Sequence, residues 1–334
     1  MKSPITGKEM KFLREKKKLI FRKEELEIDF HCYICEESGE KYETEEFSIL
    51  NLTQVHNKYR GINNLPFPDE IKYIREKYGL SSSKMSEILG LGINTFRSYE
   101  HGEIPNTSNG RLIQLSGDPK ELKKLINLAP SLSKIELEKL NRKIDLIIRE
   151  SNASSNCFEE ALLDTGAPNE FNGYRRINLT KLFNVIILFS EKLQPWKTVL
   201  NKLLFYTDFY HFKKHCFSMT GLNYRAIPLG PVPNNFDLLL SFATNNEFVD
   251  IEYQFFNNGT FGEKFIPRTD MSFNSELHNP GELNTLDYII DRFSKVSTSK
   301  IIEVSHQEKG WIENQEKRSL INYFYGFDLS GIIQ

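Results

Sequence analysis

The chain has little of several things. Of its 334 residues only 4 are cysteine and 2 are tryptophan. Cys32, Cys35, Cys157 and Cys216 are too few to staple a chain of this size, so stability has to come from apolar burial, and a reducing cytoplasm is the expected compartment. No apolar run approaches the ~18 residues of a membrane span, so no membrane role is expected. The opening stretch MKSPITGKEMKF lacks the apolar core of a signal peptide. Charge of either sign is not in excess: 43 Lys and Arg face 45 Asp and Glu, for a net −2. A globally basic nucleic-acid binder is thereby excluded, and any DNA contact needs a local positive face. Catalytic signatures are missing as well. There is no H-E-x-x-H helix, no G-x-S-x-G elbow and no phosphate-binding glycine loop. Neither an enzyme nor a cofactor is expected.

What is present is an ordinary globular composition, 39% hydrophobic and 26% charged, with length for two or three domains. The patterns predict an α+β fold, mainly α. They divide it into a small β-rich, knuckle-like domain over 1–65, a helical bundle over 66–150, a linker over 151–178 and a mixed helical domain with a β-hairpin over 179–334.

In the first segment Leu19, Phe21, Leu26, Ile28 and Phe30 alternate with charged residues. This predicts two strands joined near Lys23-Glu24-Glu25. Lys8 to Lys23 is rich in lysine and arginine, which fits either a local positive face or the solvated side of a hairpin. Cys32-Tyr33-Ile34-Cys35, ahead of Gly39, is half of a zinc knuckle. A closed site needs four ligands. The second pair belongs near the start of the chain, where Ser3 and Thr6 stand and offer no thiolate. His31 and His56 lack the spacing to replace them. No metal is expected, and the cysteines are read as small buried side chains. A helix is predicted over 43–59, carrying Phe47, Leu50, Val55 and Tyr59.

The second segment is organised around Ser81 to Gly102, SSSKMSEILGLGINTFRSYEHG. Ser81 or Ser82 can cap a first helix whose Met85, Ile88 and Leu89 share one face. Gly90-Leu91-Gly92 breaks it. A second helix is expected to turn Ile93, Phe96 and Tyr99 inward and Asn94, Thr95, Arg97 and Ser98 outward, with Gly102 ending it. Those outward side chains suit base edges and phosphates. An earlier helix holds Ile71, Ile74, Arg75 and Tyr78. Asp118-Pro119 starts a later one with Leu122, Leu125 and Ile126. Ser133 to Glu136 caps another, whose stripe Ile135, Leu140, Ile144, Ile147 and Ile148 fits a dimer seam or packing on its own domain equally well.

In the last segment Pro195 opens a helix through Tyr210 that is apolar nearly all round. Tyr224 to Leu229 reads as a strand stopped at Gly230-Pro231. Val249, Ile251, Tyr253 and Phe255 alternate as a strand, Asn258-Gly259 is a hairpin turn, and two helices follow over 282–295 and 297–305. Trp311 and the tail Tyr323-Phe324-Tyr325 are expected to close the core. Asp208, His211, His215 and His306 offer no recognised catalytic spacing. Asp208 is read as a buried partner of Lys202, Tyr224 or a backbone amide, and the histidines as surface groups near a helix end.

Three resemblances attach to these residues. Leu89-Gly90, Asn94-Thr95 and Tyr99-Glu100-His101-Gly102 resemble the Xre/Cro-type helix-turn-helix, Glu100 matching its usual glutamate. The order of knuckle and helix-turn-helix resembles MqsA-type antitoxins, with defective zinc ligands. The helix Lys202 to Asp208, the segment Tyr224 to Val232, and Trp311 after Ser305-His306 resemble the Panacea domain found in the SocA antitoxin. Together these resemblances imply an antitoxin that neutralises a cognate toxin by direct contact and represses its own operon as a homodimer on operator DNA. Asn94, Thr95, Arg97 and Ser98 would contact DNA. Tyr206, Pro228, Gly230, Pro231, Val232 and Trp311 would contact the toxin. The alternatives are an adaptor that delivers the toxin to a ClpXP-type protease, an enzyme targeted to nucleic acid, and a ligand-responsive repressor.

Overall fold

The computed structural model describes residues 1–153, 166–256, 259 and 261–332. Cys157, most of the linker's first half and Asn258 lie outside them. The fold is α+β and mainly helical, 50% helix and 15% strand. It forms two compact units, Met1–Cys157 and Phe158–Gln334.

The first unit opens with β1 (Lys11–Phe21) and β2 (Glu24–Ile34), an antiparallel pair extended by the two-residue β3 (Lys41–Tyr42) in the order β1-β2-β3. The hairpin turns at Arg22-Lys23, earlier than the pattern suggested. Both residues adopt left-handed backbone, φ 47° and 74°, the twist that two-residue hairpins favour. Leu26, Ile28, Phe30 and Cys32 of β2 are buried together with Val55. Cys32 is therefore a strand-face core residue, and burial pushes its thiol pKa up.

β3 pairs only with the Tyr33–Ile34 end of β2. Further along that edge, helix α1 (Glu45–Ile62), capped by Thr44, supplies side chains instead. The Asn51 amide exchanges hydrogen bonds with the backbone of His31 (2.9 and 2.9 Å) and the Gln54 amide with that of Asp29 (3.0 and 2.8 Å). Lys58 donates to the Glu27 carbonyl. Exposed strand edges invite foreign pairing, and here both backbone groups of Asp29 and His31 and the Glu27 carbonyl are already satisfied.

Among the described residues six helices complete the unit: α2 (Pro68–Lys77), α3 (Ser82–Ile88), α4 (Thr95–Glu100), α5 (Thr107–Ser116), α6 (Pro119–Leu128) and α7 (Lys134–Ala153). Their core holds Ile71, Tyr78, Met85, Phe96, Ile113, Leu122, Ile126 and Ile144. The α7 stripe covers this bundle: Ile144 is buried and Leu140, Ile147 and Ile148 pack against the core, while Ile135 is 82% exposed. The hairpin and α1 are each tied to the bundle by an arginine. Arg22 donates to the carbonyls of Ile104 and Pro105, and buried Arg60 to that of Gly102 (2.6 Å).

The second unit is built around α9 (Lys197–His215), which follows α8 (Leu179–Leu193). Leu200, Leu203, Leu204, Phe205, Tyr206, Phe209 and Phe212 are all buried, and from Leu200 to Phe209 no side of α9 is left for solvent. Around it stand the hairpin β4 (Tyr224–Ile227) and β5 (Gly230–Pro233), α10 (Phe236–Asn245), a second hairpin β6 (Asp250–Phe255) and β7 (Phe261–Ile266), then α11 (Pro280–Phe293), α12 (Thr298–His306) and α13 (Lys309–Ile312). Gly230-Pro231 does not stop the strand but begins its partner. The stretch 169–178, expected as linker, is built into this unit. Ser218 donates its amide to the Gly173 carbonyl (2.9 Å), Tyr323 its amide to that of Glu170 (2.8 Å), and Asn172 is fully buried. The aromatic tail closes the core as expected, with Tyr323 stacked on Phe209 at 4.4 Å.

Candidate functional site

In the first unit α3 and α4 form the expected pair of short helices. Ser81 Oγ accepts the Lys84 amide (3.2 Å), and Gly90 takes the left-handed conformation (φ 65°) that ends α3. Buried Ser86 joins the two helices by accepting the Phe96 amide (3.1 Å). Phe96 and Tyr99 face the core. Ile93 does not: it is 75% exposed, because α4 begins only at Thr95 and Ile93 sits in the turn, off the helical face. Asn94 and Arg97 are exposed, Thr95 and Ser98 half-buried. All four lie on or beside one short helix.

Glu100 explains how α4 is held. Its carboxylate meets Arg75 Nε at 2.5 Å, with the two side chains only 7% and 18% exposed. Arg75 also donates to the Leu80 carbonyl (3.1 Å). One ion pair thus fixes α4 to α2 and to the loop that enters α3. The sequence pattern named both residues without joining them.

In the second unit, side chains from distant segments meet at the β4–β5 turn. Lys202 Nζ, fully buried on α9, donates to the Pro231 carbonyl (2.9 Å). Its burial lowers its pKa to about 7. Gly230 has φ 97°, and a Cβ there would lie 2.7 Å from Lys202 Nζ and 2.9 Å from Ser305 Oγ. Only glycine fits both the conformation and the space. Trp311 donates its indole N–H to the Ile227 carbonyl (2.8 Å) and stacks on His306 at 4.3 Å. Burial lowers the His306 pKa, and the Leu229 backbone beside it opposes the fall. Lysine, glycine, serine, histidine and tryptophan from three segments therefore clamp a single turn. At its tip Pro228 and Leu229 are exposed, Leu229 by 63%.

Residues 200–312 match the family model Antitoxin SocA-like, Panacea domain.

The matched segment is roughly a third of the chain and runs from α9 into α13, so every member of the clamp falls within it. No curated protein matches the chain. Of the side chains expected to touch a partner, Tyr206, Gly230, Pro231 and Val232 are buried. They are framework in this conformation. Pro228 is exposed and Trp311 half-exposed.

Asp208 is also framework. Its Oδ1 accepts the amides of Met219 (2.7 Å) and Thr220 (2.8 Å), and its Oδ2 accepts the hydroxyls of Thr220 (2.5 Å) and Tyr224 (2.7 Å). Burial raises its pKa, and these four donors oppose the rise. Lys202 points elsewhere. His211 is not a surface group: it is buried and shares a 3.0 Å hydrogen bond with Thr285, while His215 beyond it is exposed. Asp208, His211 and His306 thus serve three separate neighbourhoods.

Among the described residues of the second unit, two buried carboxylates escaped the sequence reading. Burial opposes the charge on Glu282, but Arg175 (2.9 Å) and Lys181 (2.7 Å) outweigh it and hold its pKa below the usual range. Its capping-box place after Asn279 was the only sequence signal for it. Glu308 accepts the Tyr206 hydroxyl (3.1 Å) and the amides of Ser330 (3.0 Å) and Gly331 (2.9 Å), which pins the end of the chain. Among the described residues no helix is long and apolar enough to cross a membrane.

Proposed function

We propose that this protein is the antitoxin of a toxin–antitoxin pair, that it neutralises its toxin by direct contact through the second unit, and that it represses its own operon through the first. The match of residues 200–312 to the SocA-like Panacea family carries the antitoxin reading. The clamped β4–β5 turn supports a contact surface at that point. Buried Tyr206, Gly230, Pro231 and Val232 shape it, and Pro228, Leu229 and the exposed edge of Trp311 meet the toxin. For the first unit, support comes from the short helix α4, locked by Glu100 and displaying Asn94, Thr95, Arg97 and Ser98. A homodimer would place two such helices in successive major grooves, about 34 Å apart.

The test is to express the tagged protein from its native operon and identify what co-purifies. A small neighbour-encoded protein, lethal alone and harmless with its partner, is the expected result. A clean protein with no partner would refute the reading. The division of labour is tested by Arg97→Ala, which should weaken operator binding and leave neutralisation intact. Loss of neutralisation in that variant would show that the units do not work separately.

A further inference from the structure

Two turns near the start of the chain share one hydrogen-bond pattern. In the first, the Ser3 amide donates to the Lys8 carbonyl (2.8 Å) and the Gly7 amide to the Ser3 carbonyl (2.9 Å). The Thr6 amide donates to Ser3 Oγ (3.3 Å) and the Lys8 amide to Thr6 Oγ1 (3.4 Å). In the second, the Cys35 amide donates to the Glu40 carbonyl (3.0 Å) and the Gly39 amide to the Cys35 carbonyl (2.8 Å). The Ser38 amide bonds Cys35 Sγ, and the Glu40 amide donates to Ser38 Oγ (3.4 Å). Gly7 and Gly39 close the turns with matching left-handed backbone, φ 69° and 72°. Ser3 therefore corresponds to Cys35, and Thr6 to Ser38.

The turns also face each other. Thr6 Oγ1 lies 3.3 Å from Cys35 Sγ, and the Ser3 and Ser38 hydroxyls stand close enough to the same sulfur to lower its pKa. Ser3 and Cys35 are 3% and 1% exposed. Two turns that aim their first and fourth side chains at a common point have the x-x spacing of a four-ligand structural zinc site. This frame corrects the pairing read from the sequence: Cys32 belongs to the strand core, and the partner of Cys35 is Ser38.

The donor set does not suit zinc. One thiol is present, and the other three positions carry hydroxyls, which keep their protons at neutral pH and bind zinc poorly beside thiolate or imidazole. Among the described residues no three His, Cys, Asp or Glu side chains gather as a metal site. We propose that Ser3, Thr6, Cys35 and Ser38 form a metal-free knuckle, in which three hydroxyls gathered on the Cys35 sulfur join the two turns where a metal ion would otherwise join them. The same donors draw the Cys35 pKa down to about 6, as a sulfur that accepts hydrogen bonds requires. Two consequences follow: the first unit folds without zinc, and the backbone keeps the shape of a four-cysteine site.

Both are testable on the full chain. Protein purified from zinc-supplemented medium should carry well below one zinc per chain, and EDTA should leave its melting temperature unchanged. One bound zinc whose removal lowers the melting temperature would overturn the proposal. The variant Ser3→Cys/Thr6→Cys/Ser38→Cys should take up one Co2+ per chain, with the ligand-field and thiolate charge-transfer bands of a tetrahedral four-sulfur site. If the variant needs metal to fold, refolding in Co2+ gives the same readout. Failure to bind Co2+ by either route would show that the four positions do not share a ligand frame, and the proposal would fall.

Discussion

Lys202→Met should change how stability depends on pH in the second unit. Lys202 is fully buried and its folded pKa is about 7, against 10.5 for a free lysine. Between those values the unfolded chain holds a proton that the folded chain has released, so stability rises with pH across that window. Below pH 7 both states are charged, and the cost of burying the ammonium is present in full. From pH 7 to pH 9 the gain works out at about 2 kcal/mol, since each full pH unit is worth ~1.36 kcal/mol and the first is only partly realised near the midpoint. Met fills similar volume and carries no charge. It also forgoes the bond to Pro231, but that loss is the same at every pH. The assay is urea denaturation at pH 7, 8 and 9, followed by tryptophan fluorescence. Both tryptophans, Trp196 and Trp311, lie in the second unit, so the signal reports that unit alone. The wild-type curve should climb relative to the variant's. Parallel curves would mean that Lys202 keeps its proton in the fold, and the reasoning would fail.

Other outcomes follow from the same packing. Gly230→Ala should destabilise the second unit by about 2–4 kcal/mol, combining the left-handed backbone penalty with displacement of Lys202; tryptophan-detected urea curves measure it. Tyr224→Phe removes one donor from buried Asp208 and should cost about 1.5–3 kcal/mol in the same assay. Glu100→Gln takes from Arg75 its closest and most buried counter-charge, leaving Glu76 at 3.5 Å, and should cost about 2–3 kcal/mol, seen as faster amide exchange in α4. If Arg97 contacts a phosphate, Arg97→Ala should reduce the salt dependence of operator binding by about one unit of slope, measured by fluorescence anisotropy.

Much of this fold was legible because apolar spacing and caps agreed. Alternation over Leu19 to Phe30 placed the hairpin, and Ser81, Gly90 and Gly102 punctuated α3 and α4. The failures have physical causes. Cys32 and Cys35 have knuckle spacing, but a strand alternates every second residue, so Cys32 went to the core face and Cys35 left the strand. The true fourth position, Ser38, carries no metal-ligand signature in sequence. Ile93 was assigned inward on a helical period that does not begin until Thr95. The Lys202 partner is a backbone carbonyl at Pro231, which no residue type announces. The residues expected to contact a partner within 200–312 are distinctive, and distinctiveness there reflects a crowded turn: Gly230 is glycine because Lys202 and Ser305 pass beside it.

The side chains that α1 lays along β2 have a geometric consequence. Residues 31, 29 and 27 step along the strand at about 6.7 Å per pair, while their partners 51, 54 and 58 step along the helix at about 4.5 and then 6 Å. Helix and strand thus fall out of phase by about 3 Å over the three rungs. The side chains lengthen in the same direction, from Asn51 to Gln54 to Lys58, and so absorb the mismatch. The order matters as much as the composition: exchanging Asn51 with Gln54 keeps every functional group and spoils the fit.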